Sequence, residues 1–294
     1  MKIAEKRSDC SGRSDVITIY PIGDCHIGTR NCAEKHLRRF VAEIAADKNA
    51  YWFGGGDVLD CINPKDAKRF DFDTLPDWIL DGGVNKIRKN LNSIVDMQIK
   101  RAIDIFNPIK HKCLGCIEGN HEIEIRRHYN DDVQTRLCSG LDVDDMTDSF
   151  FMRIGLARSK SVGDVINLFA WHGSGGGRTA GAEPNHLARM QSIWEAADIS
   201  LRGHSHTFDI LPPKPVLFIP SRGALPDELL CRYRWSGNWG CWVKGYMAGQ
   251  STYDSRACYP PRPLGTIKAV IRPFRGSNGK SLPTDIKLET VILG

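Results

Sequence analysis

The chain has 294 residues, 41% hydrophobic and 26% charged, with a net charge of +5. Those values are ordinary for a globular chain with ample core and exclude a disordered or low-complexity polymer. No apolar run approaches the length of a membrane span, and Met1 to Arg7 lacks the apolar core of a signal peptide. A cytoplasmic chain with reduced thiols is therefore expected, despite ten cysteines. The charge is uneven: residues 211–294 hold 12 Lys and Arg against 5 Asp and Glu, a balance of +7. A basic tail on a near-neutral remainder points to a polyanionic partner.

The elements alternate along the chain. Val16 to Tyr20 reads as a strand, and Leu37, Phe40, Val41 and Ile44 have helical spacing. Tyr51 to Phe53 is a short strand that ends in three glycines. One long helical pattern runs from Val84 through Leu91 and Ile94 to Phe106, where Asn107-Pro108 stops it. Cys113 to Ile117, Val165 to Ala170 and Ile199 to Leu201 read as further strands. Cys113 and Cys116 stand three apart in a strand, which turns them to opposite faces, so they are read as separate half-buried thiols rather than a zinc knuckle. Leu211 to Pro215 reads as a rigid linker. Strand-like runs follow at Val216–Ile219, Cys241–Met247, Thr266–Ile271 and Ile286–Leu293, with no helical periodicity. Residues 1–210 are the expected metal-site core of one domain over 1–294, and 211–294 a β-rich part that completes a sheet and one side of the cleft.

Five of the loops after these elements carry metal-ligand residue types beside glycine. They are Gly23-Asp24-Cys25-His26, Gly56-Asp57-Val58-Leu59-Asp60, Gly119-Asn120-His121-Glu122, Trp171-His172-Gly173 and Gly203-His204-Ser205-His206. A mixed N/O donor set of this kind suits two divalent transition ions. An isolated histidine is more often a satisfied core residue, but here aspartate, asparagine and glycine recur beside the imidazoles. The two-residue steps Asp24/His26 and His204/His206 place both donors on one side of an extended backbone. In order, the five stretches resemble the motifs of the calcineurin-like metallophosphoesterase superfamily, D-x-H, G-D-x-x-D, G-N-H-E, H and G-H-x-H.

The resemblance implies an α/β fold, a four-layer α/β/β/α sandwich. It also implies two divalent ions, manganese first, with zinc, iron, nickel or cobalt as alternatives. Asp57 would bridge them. Asp24, His26 and His206 would complete one site, and Asn120, His172 and His204 the other. His121 would not bind metal but protonate the leaving oxygen of a phosphoester attacked by a bridging hydroxide. Asp60 would hold the His121 imidazole, and Glu122 would do the same or support the sheet. Cys25 is read as small-residue packing under the ions. His36, His128 and His186 are read as helix-surface residues. Arg178, after the glycines that follow His172, and Arg126 are candidate phosphate contacts.

The substrate is less closely defined. Asp24-Cys25-His26-Ile27-Gly28 looks like the D-x-H-L-G opening of the DNA-repair exonuclease branch. Arg232-Tyr233-Arg234-Trp235, Trp239, Trp242, Lys244 and Tyr246 interleave rings with cations, which suits single-stranded DNA or RNA, although each ring alone fits a β-core equally well. A phosphodiesterase acting on nucleic acid or nucleotides is expected. The alternative is a small-molecule or protein phosphomonoesterase, although the protein-phosphatase signatures are only partly met. A non-catalytic scaffold on this fold would have lost ligands, and none is lost here.

Overall fold

A computed structural model describes residues 1–9, 15–66, 69–158, 161–175, 179, 181–218, 230–273 and 284–293. In chain order the elements are β1 (Lys2–Asp9), β2 (Ile17–Ile22), α1 (Glu34–Ala46), β3 (Ala50–Gly55), α2 (Asp77–Leu80), α3 (Val84–Asn92), α4 (Ile94–Phe106), β4 (Cys113–Ile117), α5 (Asn120–Tyr129) and α6 (Val133–Leu141). They continue with β5 (Ser149–Arg158), β6 (Ser161–Trp171), α7 (Ala182–Ile193), β7 (Ile199–Arg202), β8 (Phe208–Ile210), β9 (Lys214–Phe218), β10 (Leu230–Trp239), α8 (Tyr253–Ala257), β11 (Leu264–Arg272) and β12 (Asp285–Leu293).

The strands form two sheets. One runs β1-β5-β6-β7-β10-β8, with β9 also on β10; the other runs β12-β11-β2-β3-β4. Their inner faces meet in a core built from Ile19, Phe53 and Ile267 of one sheet and Phe150, Leu168 and Leu201 of the other. The outer face of the five-stranded sheet packs on α1, α4 and α6 through Leu37, Phe40, Ile99, Phe106 and Leu137. Phe169 on the other sheet packs on Leu187 and Met190 of α7. The expected α/β/β/α layering is therefore present.

Several local expectations need correction. The tail does not complete one sheet: β9 and β10 join the larger, β11 and β12 the smaller. The linker reading holds only to Pro213, because Lys214 already pairs with Arg234; Pro215 is tolerated since β9 lies at an edge. No strand forms at Cys241–Met247. Its backbone is spent elsewhere: Trp242 donates to Asp24 O, Ala33 donates to Trp242 O, and Lys244 donates to Asn31 O. A short helix, α8, occurs in the tail where no helical period was visible. The pattern from Val84 to Phe106 is two helices, broken at Ser93. The first buries no side chain and the second buries five apolar ones, so the break lets each lie on a different surface. Asn107–Lys112 runs on as a 3₁₀ turn with Pro108 in its first turn, where its missing N–H costs nothing.

Cys113 and Cys116 also differ from expectation. Trp52 pairs with Cys113 and Gly54 with Cys116, so β4 carries one extra residue. Gly115 takes that bulge at φ +123°, a backbone state open to glycine. The bulge cancels the alternation and brings the two Sγ atoms 3.9 Å apart.

Candidate metal centre

The five ligand loops converge at the ends of β2, β3, β4, β6 and β7. Strand ends in both sheets point the same way there, as is usual for sites in α/β architectures. Three overlapping clusters result: Asp24 with His26 and His206, Asp57 with His172 and His204, and His26 with Asp57 and His121. Within each, the donor atoms all lie within 4.8 Å of one another. Asn120 joins the second, with its Oδ1 3.3 Å from His172 Nε2. All seven expected ligands are thus brought together.

The backbone that achieves this is not extended. Asp24, His26, Asp57, His204 and His206 have φ of 51°, 46°, 47°, 75° and 59°, in the left-handed region. The two-residue steps chelate through sharp turns, not through strand alternation. Each such residue costs about 1–2 kcal/mol and persists because its surroundings over-determine it. One such restraint is Asp24 N donating to Gly56 O (2.9 Å); another is Cys25 N donating to Asp57 O (2.9 Å). Gly119 is needed for another reason: a Cβ there would sit 2.1 Å from Asp57 Oδ1.

Asp57 lies centrally. Its Oδ2 is 3.3 Å from His172 Nε2 and 3.9 Å from His26 Nε2, while Oδ1 accepts from the His121 backbone N–H at 2.9 Å. His172 Nδ1 donates to Gly55 O at 2.8 Å, which leaves Nε2 free for a cation. In the other cluster His26 Nε2 and His206 Nε2 are 3.2 Å apart, and His206 Nε2 is 3.3 Å from Asp24 Oδ1.

The electrostatics follow from burial. Asp24 and Asp57 are almost fully buried. Burial works against their ionisation, yet the surrounding imidazoles more than offset it and hold both carboxyls below the usual range. Burial lowers His172, but the Asp57 carboxylate wins and pushes it up to about 10. His26 is lowered, first by burial and then by His121. Two carboxylates buried this close together among imidazoles leave negative charge that a divalent ion would balance. The donor set and the charge both fit metal.

Around these ligands, the structure reassigns several roles. The nearest partner of His121 Nδ1 is the Asp60 peptide oxygen (2.5 Å), not its carboxylate (3.9 Å); that carboxylate is nearer His26 Nδ1 (3.6 Å). Glu122 is more important than expected. Its carboxylate accepts from Asp57 N (3.0 Å), Leu59 N (2.9 Å) and Gly119 N (2.9 Å), tying the second and third loops together. Burial, helped by Asp57, raises it to about 7. A glutamate three residues into a helix is a capping signal, which was legible. Trp239, read as a nucleic-acid ring, is 1% exposed and donates Nε1–H to Asp24 Oδ2 at 2.8 Å.

The ring-and-cation stretch is largely taken apart. Trp242 is buried, and Arg234 is buried and bonded to Glu195 O. Arg232 faces Asp198 at 3.6 Å. Arg126 is held bidentately by Glu118, both contacts 2.7 Å. Arg178 lies outside the described residues. His128 pairs with Glu124 on the exposed face of α5, and Cys25 is buried packing, both as expected. His36 and His186 are half-buried on α1 and α7.

No family model matches the chain, and no curated protein matches it. Solved structures do resemble it. A predicted phosphoesterase of Streptococcus pneumoniae aligns at 11% identity and TM-score 0.34, over 94% of this chain and 99% of that one. The calcineurin-like phosphoesterase YfkN of Bacillus subtilis aligns at 12% identity and TM-score 0.41, over 94% and 90%. The NAD nucleotidase of Haemophilus influenzae aligns at 10% identity and TM-score 0.38, over 95% of this chain and 50% of that one. Overlaps this loose carry no weight on activity. The layered fold and the convergence of the five motif loops are what the resemblance read from the sequence implies. Among the described residues, no helix is long and apolar enough to cross a membrane.

Proposed function

We propose that the protein is a dinuclear metal-dependent phosphoester hydrolase, a phosphodiesterase acting on nucleic acid or nucleotides. The observation that carries this reading is the pair of ligand clusters, Asp24/His26/His206 and Asp57/His172/His204, facing one carboxylate oxygen, Asp57 Oδ2. These residues would hold two divalent ions, manganese first, which would supply neutralisation of phosphoryl oxygens and a more acidic water. The chain's own residues do the rest. Asp57 Oδ2 faces both pockets while Oδ1 is fixed by His121 N–H. Asn120 and His204 complete the second pocket. The His121 Nδ1–H is spent on the Asp60 carbonyl, so its transferable proton sits on Nε2. Burial opposes that charge, but Asp57 and Asp60 outweigh it and raise His121 above its ordinary value. The imidazolium is therefore available to give Nε2–H to a leaving oxygen.

The burial of Trp239, Trp242 and Arg234 weakens the case for a polynucleotide groove at that position and keeps the phosphomonoesterase alternative open. A manganese-supplemented panel separates them: bis-nitrophenyl phosphate, nitrophenyl phosphate, single- and double-stranded DNA, and RNA. Preference for the diester and for nucleic acid supports the reading. Turnover of the monoester alone replaces it, and two ions without turnover of any substrate leaves a scaffold.

A further inference from the structure

The segment after β10 holds chemistry that the metal centre does not use. Arg262 Nη1 donates to the carbonyl oxygen of Ser205 at 3.1 Å. Ser205 stands between two expected ligands, His204 and His206, so this contact joins the segment to the edge of the site. The same guanidinium lies over the Tyr259 ring, 5.2 Å from its centroid, and its Nη2 is 3.7 Å from Asp254. Tyr259 packs on Tyr253 with centroids 5.7 Å apart and planes at 47°. The Tyr246 hydroxyl donates to the Tyr259 carbonyl. The group is braced within the segment by Thr252, which donates to Gly245 O, and anchored from outside by Asp71, which Arg256 reaches at 3.4 Å.

These rings are not core. Tyr246 is 48% exposed and Tyr253 66%. Grouped aromatic faces left in water beside a fixed guanidinium have surface to gain from a flat ligand. The nearest such ligand is a substrate whose phosphate sits at the metal pockets. A nucleobase matches: it has a π-face for tyrosine, on a molecule whose phosphate carries the negative charge the pockets take.

We propose that Tyr246, Tyr253 and Tyr259, braced by Arg262 against the Ser205 carbonyl, form a platform for the nucleobase of the phosphoester held at the metal centre. This rests on the phosphoesterase reading and names the part of the substrate recognised. It also moves base recognition from the Arg232 to Trp242 stretch, which is mostly buried, to a surface that is open and beside the ligands.

AMP and ribose 5-phosphate share sugar and phosphate and differ by the base. As competitors of bis-nitrophenyl phosphate hydrolysis by the manganese-loaded protein, AMP should be stronger by about 5- to 150-fold, the worth of one stacked base. Tyr253→Ala and Tyr259→Ala should each bring that ratio toward one, and Tyr253→Phe, which keeps the ring, should retain it. Equal inhibition by both compounds in the wild type, or an unchanged ratio in both alanine variants, overturns the proposal. Adenosine, which has no phosphate, gives a reading independent of the metals. Saturation-transfer NMR on the metal-free protein should light its base protons and fade in Tyr253→Ala; silence in the wild type also overturns the platform. Adenosine contact in a protein that hydrolyses no phosphoester would sink the hydrolase reading while keeping the base site. A thymidine trinucleotide competing better than TMP assigns the base to a polynucleotide end, and equal competition assigns it to a free nucleotide.

Discussion

The pocket of Asp57, Asn120, His172 and His204 and the pocket of Asp24, His26 and His206 are neighbours, yet they are held in different ways. In the former, groups close to the loops do the holding. His172 is locked by Gly55 O, Asp57 by the His121 N–H, and the Asp57 and Leu59 amides by Glu122. In the latter, Asp24 depends on Trp239, 215 residues away in sequence, and on the His204 N–H. The His206 side chain is 20% exposed, whereas that of His172 is 4% exposed. The protonation differs too, with His172 raised and His26 lowered. One pocket is thus preorganised around a charge it must exchange for a cation. The other is more open, and burial keeps its His26 toward the neutral form. A site with one firm and one looser ion is the physical expectation.

Asp57→Asn should erase the contrast, because it removes charge from both pockets. Losing several kcal/mol of metal-borne stabilisation lowers kcat/KM by about 10³-fold or more. Elemental analysis should show loss at both pockets; two ions and near-normal turnover would contradict the bridge. His121→Ala should leave both pockets loaded and lower turnover by roughly 10²–10⁴-fold. That deficit should shrink with good leaving groups such as nitrophenolate. An equal deficit for poor and good leaving groups would assign His121 to binding.

Trp239→Phe sharpens the contrast by acting on one pocket. It removes the N–H that Asp24 Oδ2 accepts, and should weaken the looser ion by about 10–100-fold while sparing the other. Calorimetric titration should then resolve two affinities further apart than in the wild type; parallel weakening of both would refute the separation. The smallest effect is a proton count. With His172 near 10, the metal-free protein carries that proton at neutral pH, and loading the firm pocket must release it. His26 contributes none, being already neutral. Titration at pH 7 in buffers of differing ionisation enthalpy should report about one proton released, and none would rule the assignment out. The sign for stability follows. The folded value exceeds the unfolded one of about 6.5. The stabilisation is therefore complete below about pH 6.5 and is lost as pH rises toward 10. Melting of the metal-free protein should decline across that window.

Much of the molecule was legible in the chain. The strands ending at Asp24, Asp57, Asn120, His172 and His204 declare themselves because each ligand loop follows a short apolar run. What escaped has physical causes. β1 is a charged edge strand, Lys2-Ile3-Ala4-Glu5-Lys6-Arg7, with Ile3 82% exposed, so it shows no buried stripe. β5 was readable, since Phe150, Met152, Ile154 and Leu156 alternate inward. The Cys241–Met247 run has strand composition, but its amides were claimed by the Asp24 and Asn31 loops.

The sequence by itself determined the donor set, its order and the alternation of strands and helices, because metal chemistry demands particular side chains and buried elements demand particular periods; the layering was implied only by the resemblance of the motifs. It could not decide how those side chains are aimed. The left-handed turns at five ligands, the Gly115 bulge that pairs two sulfurs, and the fate of the tail aromatics depend on contacts between distant segments. Trp239 and Tyr253 are both tail aromatics, yet one is sealed between the sheets against Asp24 and the other stands in solvent. Composition cannot separate them, because burial is a property of what the rest of the fold brings alongside.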